Sequence, residues 1–216
     1  WQKLRSAFPS WRDVEQASVH KVAAALRSGG LHRQKARAIK RLLRAVRRRF
    51  GRLSLDSLRE MADAEAEQVL THLPGISWKG ARCILMYSLD RKVFPIDGNT
   101  FRVLRRIGVI PVSSVYRRLS LHDAVQDAIA PEQRRRYHVN LVVHGQEVCL
   151  PQRPRCRGCP AATVCPRRGL RSQRSDTVAS RAEPPNLARS IRRACSGQND
   201  GRDARKSTVH HVADVG

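Results

Sequence analysis

Cys149, Cys156, Cys159 and Cys165 stand in the order C-x6-C-x2-C-x5-C in a stretch rich in Pro and Arg. Four thiolates this close in sequence can enclose one metal centre, because the C-x2-C step sets two sulfurs on one side of a tight turn. Structural zinc usually pairs two such knuckles across a longer insert. One compact run stiffened by Pro154 and Pro160 suits a cubane iron–sulfur cluster better. Zinc and disulfides are the lesser alternatives, since a secreted disulfide scaffold would spread its cysteines rather than crowd four of six into residues 149–165. Arg153, Arg155 and Arg157 interleave with the cysteines. They are either plain loop cations or a basic grip on phosphates that the metal centre stiffens, and the second reading is preferred.

A second constellation is LPGISWKG, residues 73–80. Gly75 permits a positive φ in a Pro-Gly turn between two short helices. Unpaired N–H groups at the start of the following helix, around Ser77, bind phosphate without reading sequence. Alone, this pattern fits a plain helical hairpin equally well.

The elements that must position these groups are helical almost throughout, with no convincing alternating strand pattern. Ser10, with Asp13 three residues on, predicts a helix running to about Arg27 and stopped at Gly29–Gly30. Residues 33–50 place Ala36, Ile39, Leu43 and Val46 on one stripe under a heavily arginine-bearing face, which Gly51 ends. Asp56 and Asp63 are expected to cap two further short helices. Another helix should begin near Asn99, after Pro95, and two more should fill 120–144, ahead of a cysteine-bearing loop over 145–165. Beyond it, residues 167–216 carry few large apolar side chains and are expected to be a basic, disordered tail, with Cys195 inside it.

Lys and Arg number 42 against 18 for Asp and Glu, a net charge of +24. Such a balance attracts polyanions, nucleic acid first. Lysines stand only at positions 3, 21, 35, 40, 79, 92 and 206, so a lysine at any one position is uncommon by chance. No apolar run is long enough to span a bilayer, and an aromatic content of 5% gives little support to a membrane-surface role.

Together these motifs resemble the helix-hairpin-helix DNA glycosylase superfamily, in its endonuclease III-like form with a [4Fe–4S] cluster loop. The family hairpin L-P-G-x-G-x-K matches residues 73–79 and sets the family's nucleophilic lysine on Lys79. The family's catalytic aspartate, in a turn that opens a helix, matches Asp97 in FPIDGNTFRVLRRIG. The cysteine run follows in family order.

The resemblance implies an all-α fold. A helical barrel with the hairpin would cover 1–110, and a smaller iron–sulfur domain 111–166, with DNA in the cleft between them. It also implies that the family's first helices, one of which carries a residue wedging into the duplex, are missing before Trp1. The activity implied is base excision by a bifunctional DNA N-glycosylase and abasic-site lyase. Its substrate would be double-stranded DNA carrying altered bases, oxidised pyrimidines first, or abasic sites. A modified-cytosine or mismatch glycosylase is the close alternative, and a non-catalytic DNA-binding protein the distant one. A monomer, intracellular and associated with the nucleoid, is expected. Two departures stand out: Ser77 replaces the second hairpin glycine, and Gly98–Asn99 replaces the usual Thr-His, a run closer to plant 5-methylcytosine glycosylases.

Overall fold

The computed structural model describes residues 1–170, and among these the chain is helical with no strand. The helices in order are α1 (Gln2–Ala7), α2 (Trp11–Gln16), α3 (Val19–Ala25), α4 (His32–Phe50), α5 (Asp63–Thr71), α6 (Trp78–Ser88), α7 (Gly98–Arg106), α8 (Leu119–Asp127) and α9 (Pro131–Glu147). Short 3-10 turns lie at Arg27–Gly29, Asp56–Arg59 and Cys156–Gly158. None of the helices is long and apolar enough to cross a membrane. Two compact units divide the chain at Arg91 and Lys92.

In the first unit, the single helix expected from Ser10 to Arg27 is two helices. Ser10 and Asp13 do form the capping box of α2, but Ser18 accepts from the Lys21 N–H at 3.2 Å and starts α3 afresh. The break is sealed by Lys40 of α4, which is buried and donates to the carbonyls of Glu15, at 2.6 Å, and Ala17. A lysine on the helix seam thus replaces backbone bonds that a continuous helix would have made. Leu4, Val14, Val22, Ala36 and Leu43 form the core beneath it. Neither Asp56 nor Asp63 caps a helix: Asp56 opens a 3-10 turn, and Asp63 is already inside α5 and pairs with Arg91 at 3.2 Å. The hairpin helices α5 and α6 are joined by a buried ion pair, Arg82 Nε to Glu67 Oε1 at 2.9 Å. Removing one partner would strand the other charge, which typically costs about 3–5 kcal/mol.

The second unit begins ahead of residue 110 because α7 packs on α9, and its Leu104 joins Phe94, Ile96, Ile110, Leu121 and Val125 in one core. Residues 167–170 lie against α7, where the Arg168 N–H donates to the Arg106 carbonyl at 3.0 Å. The rest of the expected tail, Cys195 included, falls outside the described residues.

Candidate functional site

The turn between α5 and α6 is closed by the Ile76 N–H on the carbonyl of buried Leu73, at 3.2 Å. Gly75 sits between them at φ +87 with open space where a Cβ would stand, so conformation rather than crowding requires glycine there. Ser77 is extended, at φ −88 and ψ 168, and its Oγ accepts from the Gly80 N–H at 3.2 Å. Any residue adopts that backbone. The serine in place of a glycine therefore supplies a helix cap without strain. The N–H groups of Ser77, Trp78 and Lys79 precede the first bond within the helix, Ala81 to the Ser77 carbonyl, and gather at the positive end of α6. Lys79 is half-buried on that first turn, and Cys83 is half-buried one turn further on.

In the second unit Asp97 is the N-cap of α7, accepting from the Thr100 N–H at 2.7 Å. Asn99 turns its amide back on the same carboxylate at 3.4 Å. Burial works to raise the Asp97 pKa, but the hydrogen bonds from Thr100 and Asn99 and the nearby charge of His138 outweigh it. The carboxyl is held below its usual 3.8.

The same helix anchors the cysteine loop. Arg102 donates to Asn99 Oδ1 at 2.9 Å, to the Gly145 carbonyl at 2.6 Å and to the Cys149 carbonyl at 2.9 Å. One turn on, buried Arg106 donates to the carbonyls of Leu150 and Pro151 at 2.6 and 2.7 Å, and reaches the Cys149 sulfur at 3.3 Å. Close approach of α9 depends on Gly145, where a Cβ would fall 2.7 Å from that of Asn99.

Cys149, Cys156, Cys159 and Cys165 all line one open pocket of about 400 Å³, together with Arg106, Ile107, His144 and Leu170. All four are free thiols in this structure. Burial pushes the Cys165 thiol up, and the other three cysteines add to the effect against a hydrogen bond from the Arg167 backbone. Among the described residues no three His, Cys, Asp or Glu side chains are gathered closely enough to hold a metal ion. Four thiols on one pocket, with the Arg106 guanidinium on one sulfur, are a donor set that suits an iron–sulfur cluster. Arg153, Arg155 and Arg157 are exposed on this loop.

Gly75, Ser77 and Lys79 thus belong to the first unit, and Asp97, the four cysteines and the loop arginines to the second. Sequence reasoning missed Arg102 and Arg106, whose helical spacing carries no signal in a chain this rich in arginine. Leu31, just ahead of α4, is 73% exposed at a left-handed φ of 48. A leucine rarely holds that backbone, and such strain gathers at functional positions.

A profile of the HhH-GPD superfamily of base excision DNA repair proteins matches residues 1–122. A candidate DNA glycosylase of Arabidopsis thaliana is 33% identical over 119 residues, 55% of this chain and 41% of the relative. The DNA glycosylase/AP lyase ROS1 of Arabidopsis thaliana is 25% identical over 181 residues, 76% of this chain and 13% of the relative. Endonuclease III of Sulfolobus acidocaldarius is 27% identical over 152 residues, 70% of this chain and 65% of the relative. The chain therefore spans less than two thirds of each. Among solved structures, a non-covalent endonuclease III–DNA complex superposes with a TM-score of 0.65 at 22% identity, covering 77% of this chain and 72% of that one. That likeness establishes the fold.

Proposed function

The chain belongs to the HhH-GPD superfamily of base excision DNA repair proteins, and on that premise we propose that it excises altered bases from duplex DNA and then cleaves the strand. The observation that carries the reading is the lysine on the first turn of α6, directly after the Pro-Gly hairpin, in a family of base excision DNA repair proteins. The Lys79 amine attacks C1′ of the damaged nucleotide. The bond from C1′ to the base breaks with its electron pair leaving on the base, which takes up a proton. Ring opening gives a Schiff base on Lys79, and loss of a C2′ proton then expels the 3′ phosphate. Asp97, held ionised by Thr100 and Asn99, is a poor proton store and a good counter-charge. Its role is to stabilise the cationic sugar as the base departs.

The hairpin N–H groups hold a phosphate of the flanking strand. Cys149, Cys156, Cys159 and Cys165 would hold a [4Fe–4S] cluster, which supplies structural order to the loop presenting Arg153, Arg155 and Arg157. The protein acts as a monomer.

Oxidised pyrimidines are the first substrate class. A modified cytosine is the second, favoured by Asn99 standing beside Asp97 and contacting its carboxylate. A panel of duplexes, each with one altered base, tests the reading. Strand cleavage at an oxidised pyrimidine supports the first class and cleavage at a modified cytosine the second. An intact panel, together with an uncleaved abasic duplex, contradicts both.

A further inference from the structure

Helix α4 holds seven arginines, two lysines and no acidic residue. At 100° per residue, Arg33, Arg37, Arg41, Arg44 and Arg48 fall within about 80° of one another, on a track about 22 Å long. All five are exposed. The cations beside this stripe are otherwise engaged: Lys40 is buried on the carbonyls of Glu15 and Ala17, and Arg47 pairs with Glu15 at 3.0 Å. Among the described residues no ion pair is recorded for the five arginines of the stripe.

Like charges three and four residues apart destabilise a helix. Here the helix is held in spite of them by its opposite face, where Ala36, Leu43 and Val46 are buried. Repulsion within the row is felt locally: after burial, the charge of Arg44 is what most lowers the pKa of Lys40. A straight, anchored row of mutually repelling guanidinium groups gains stability only from an external anion, and one with repeated charge.

We propose that the Arg33–Arg37–Arg41–Arg44–Arg48 stripe is a docking track for the sugar–phosphate backbone of duplex DNA, on a helix other than the two of the hairpin. Four residues rise about 6 Å along a helix, close to the about 6.8 Å of duplex axis covered by two nucleotides of one strand. Guanidinium forks suit phosphate oxygens better than ammonium groups do. A lipid surface fits less well, because it requires an apolar face to bury and that of α4 is already turned into the protein core. The track reads no base. It would retain the protein on undamaged DNA, and it rests on the DNA-repair reading only for the identity of the polyanion.

The test is binding to an undamaged duplex across a salt series, with wild type, the triple variant Arg37→Gln, Arg41→Gln and Arg44→Gln, and a charge-matched control, Arg12→Gln, Arg49→Gln and Arg52→Gln. The stripe variant should flatten the slope of log K against log salt by about 2.7, and weaken binding at least about tenfold at 0.1 M salt. The control should keep the wild-type slope. Gln is a good helix former, so the melting temperature of the stripe variant should not drop. Should that variant fail to fold, Arg41→Gln alone carries the same test with a slope change of about 0.9. An unchanged slope, or an equal change in both triple variants, overturns the track. So does loss of binding to phosphatidylserine vesicles with duplex binding intact. Strand cleavage on altered-base duplexes, run in parallel, separates the two claims, since the slope can flatten whether or not any base is excised.

Discussion

Arg102 donates to the carbonyl of Cys149 across 2.9 Å, and so ties the helix capped by Asp97 to the first residue of the cysteine loop. Its other arm holds Asn99 Oδ1 at 2.9 Å, and the Asn99 amide faces the Asp97 carboxylate. Order in the cysteine loop and the setting of the carboxylate therefore share one guanidinium. Arg102→Ala removes the donor to Asn99 Oδ1 and the Gly145 carbonyl, leaves the Cys149 carbonyl only its longer bond from Arg106 at 3.3 Å, and should lower stability by about 1–3 kcal/mol. Single-turnover excision should fall about tenfold or more, equivalent to about 1.4 kcal/mol of barrier, with a smaller change in duplex affinity. Equal losses in rate and affinity would mean that the arginine only supports the fold.

Gly145 makes the same point through shape. Gly145→Ala places a methyl 2.7 Å from the Asn99 Cβ and 3.2 Å from its backbone, which cannot yield as a flexible side chain would. Overpacking of this kind costs about 1–3 kcal/mol. Thermal melting should show the loss, and excision should decline further than melting explains, because Asn99 is displaced from Asp97.

Asp97 caps α7, in the proposed mechanism it also serves the chemistry, and a substitution separates the two. Asn caps about as well as Asp, so Asp97→Asn should melt close to wild type while excision collapses. The folded pKa lies below the usual 3.8, so the stabilising contribution of the charge is fully present above that value. It is lost only as pH falls through the lower folded value. The melting difference between wild type and Asp97→Asn should be flat from neutral pH down to about 4 and shrink below it. A difference that titrates near neutrality would contradict the hydrogen-bonded carboxylate.

A [4Fe–4S] cluster on the four cysteines would make the protein brown, with broad absorbance in the visible blue and about four irons per chain. Cys156→Ser should lose the colour and the iron together and melt earlier. A colourless wild type holding zinc would overturn the cluster.

Much of the fold and of the candidate site is legible in the sequence. Gly75, Asp97 and the four cysteines stand out because turns, caps and thiol clusters depend on local spacing, and local spacing is what a sequence displays. The long amphipathic α4 was legible for the same reason, its apolar residues recurring at helical intervals. The break at Ser18 was not, because it is sealed by Lys40, distant in sequence, reaching back to the carbonyls of Glu15 and Ala17. Arg102 and Arg106 stayed hidden because their meaning lies in carbonyls of a loop more than forty residues on. Asp63 misled because an acid at a helix start reads as a cap, and here it is the partner of Arg91.

In the proposed reaction Lys79 forms a covalent bond with the sugar it attacks. Borohydride added during turnover on a duplex with an abasic site or an excised base should reduce that Schiff base and leave protein joined to DNA. A trapped band is expected with wild type, none with Lys79→Ala, and a DNA-linked peptide containing Lys79. Trapping that persists in Lys79→Ala, or its absence in a wild type that still cleaves the strand, would contradict that reaction.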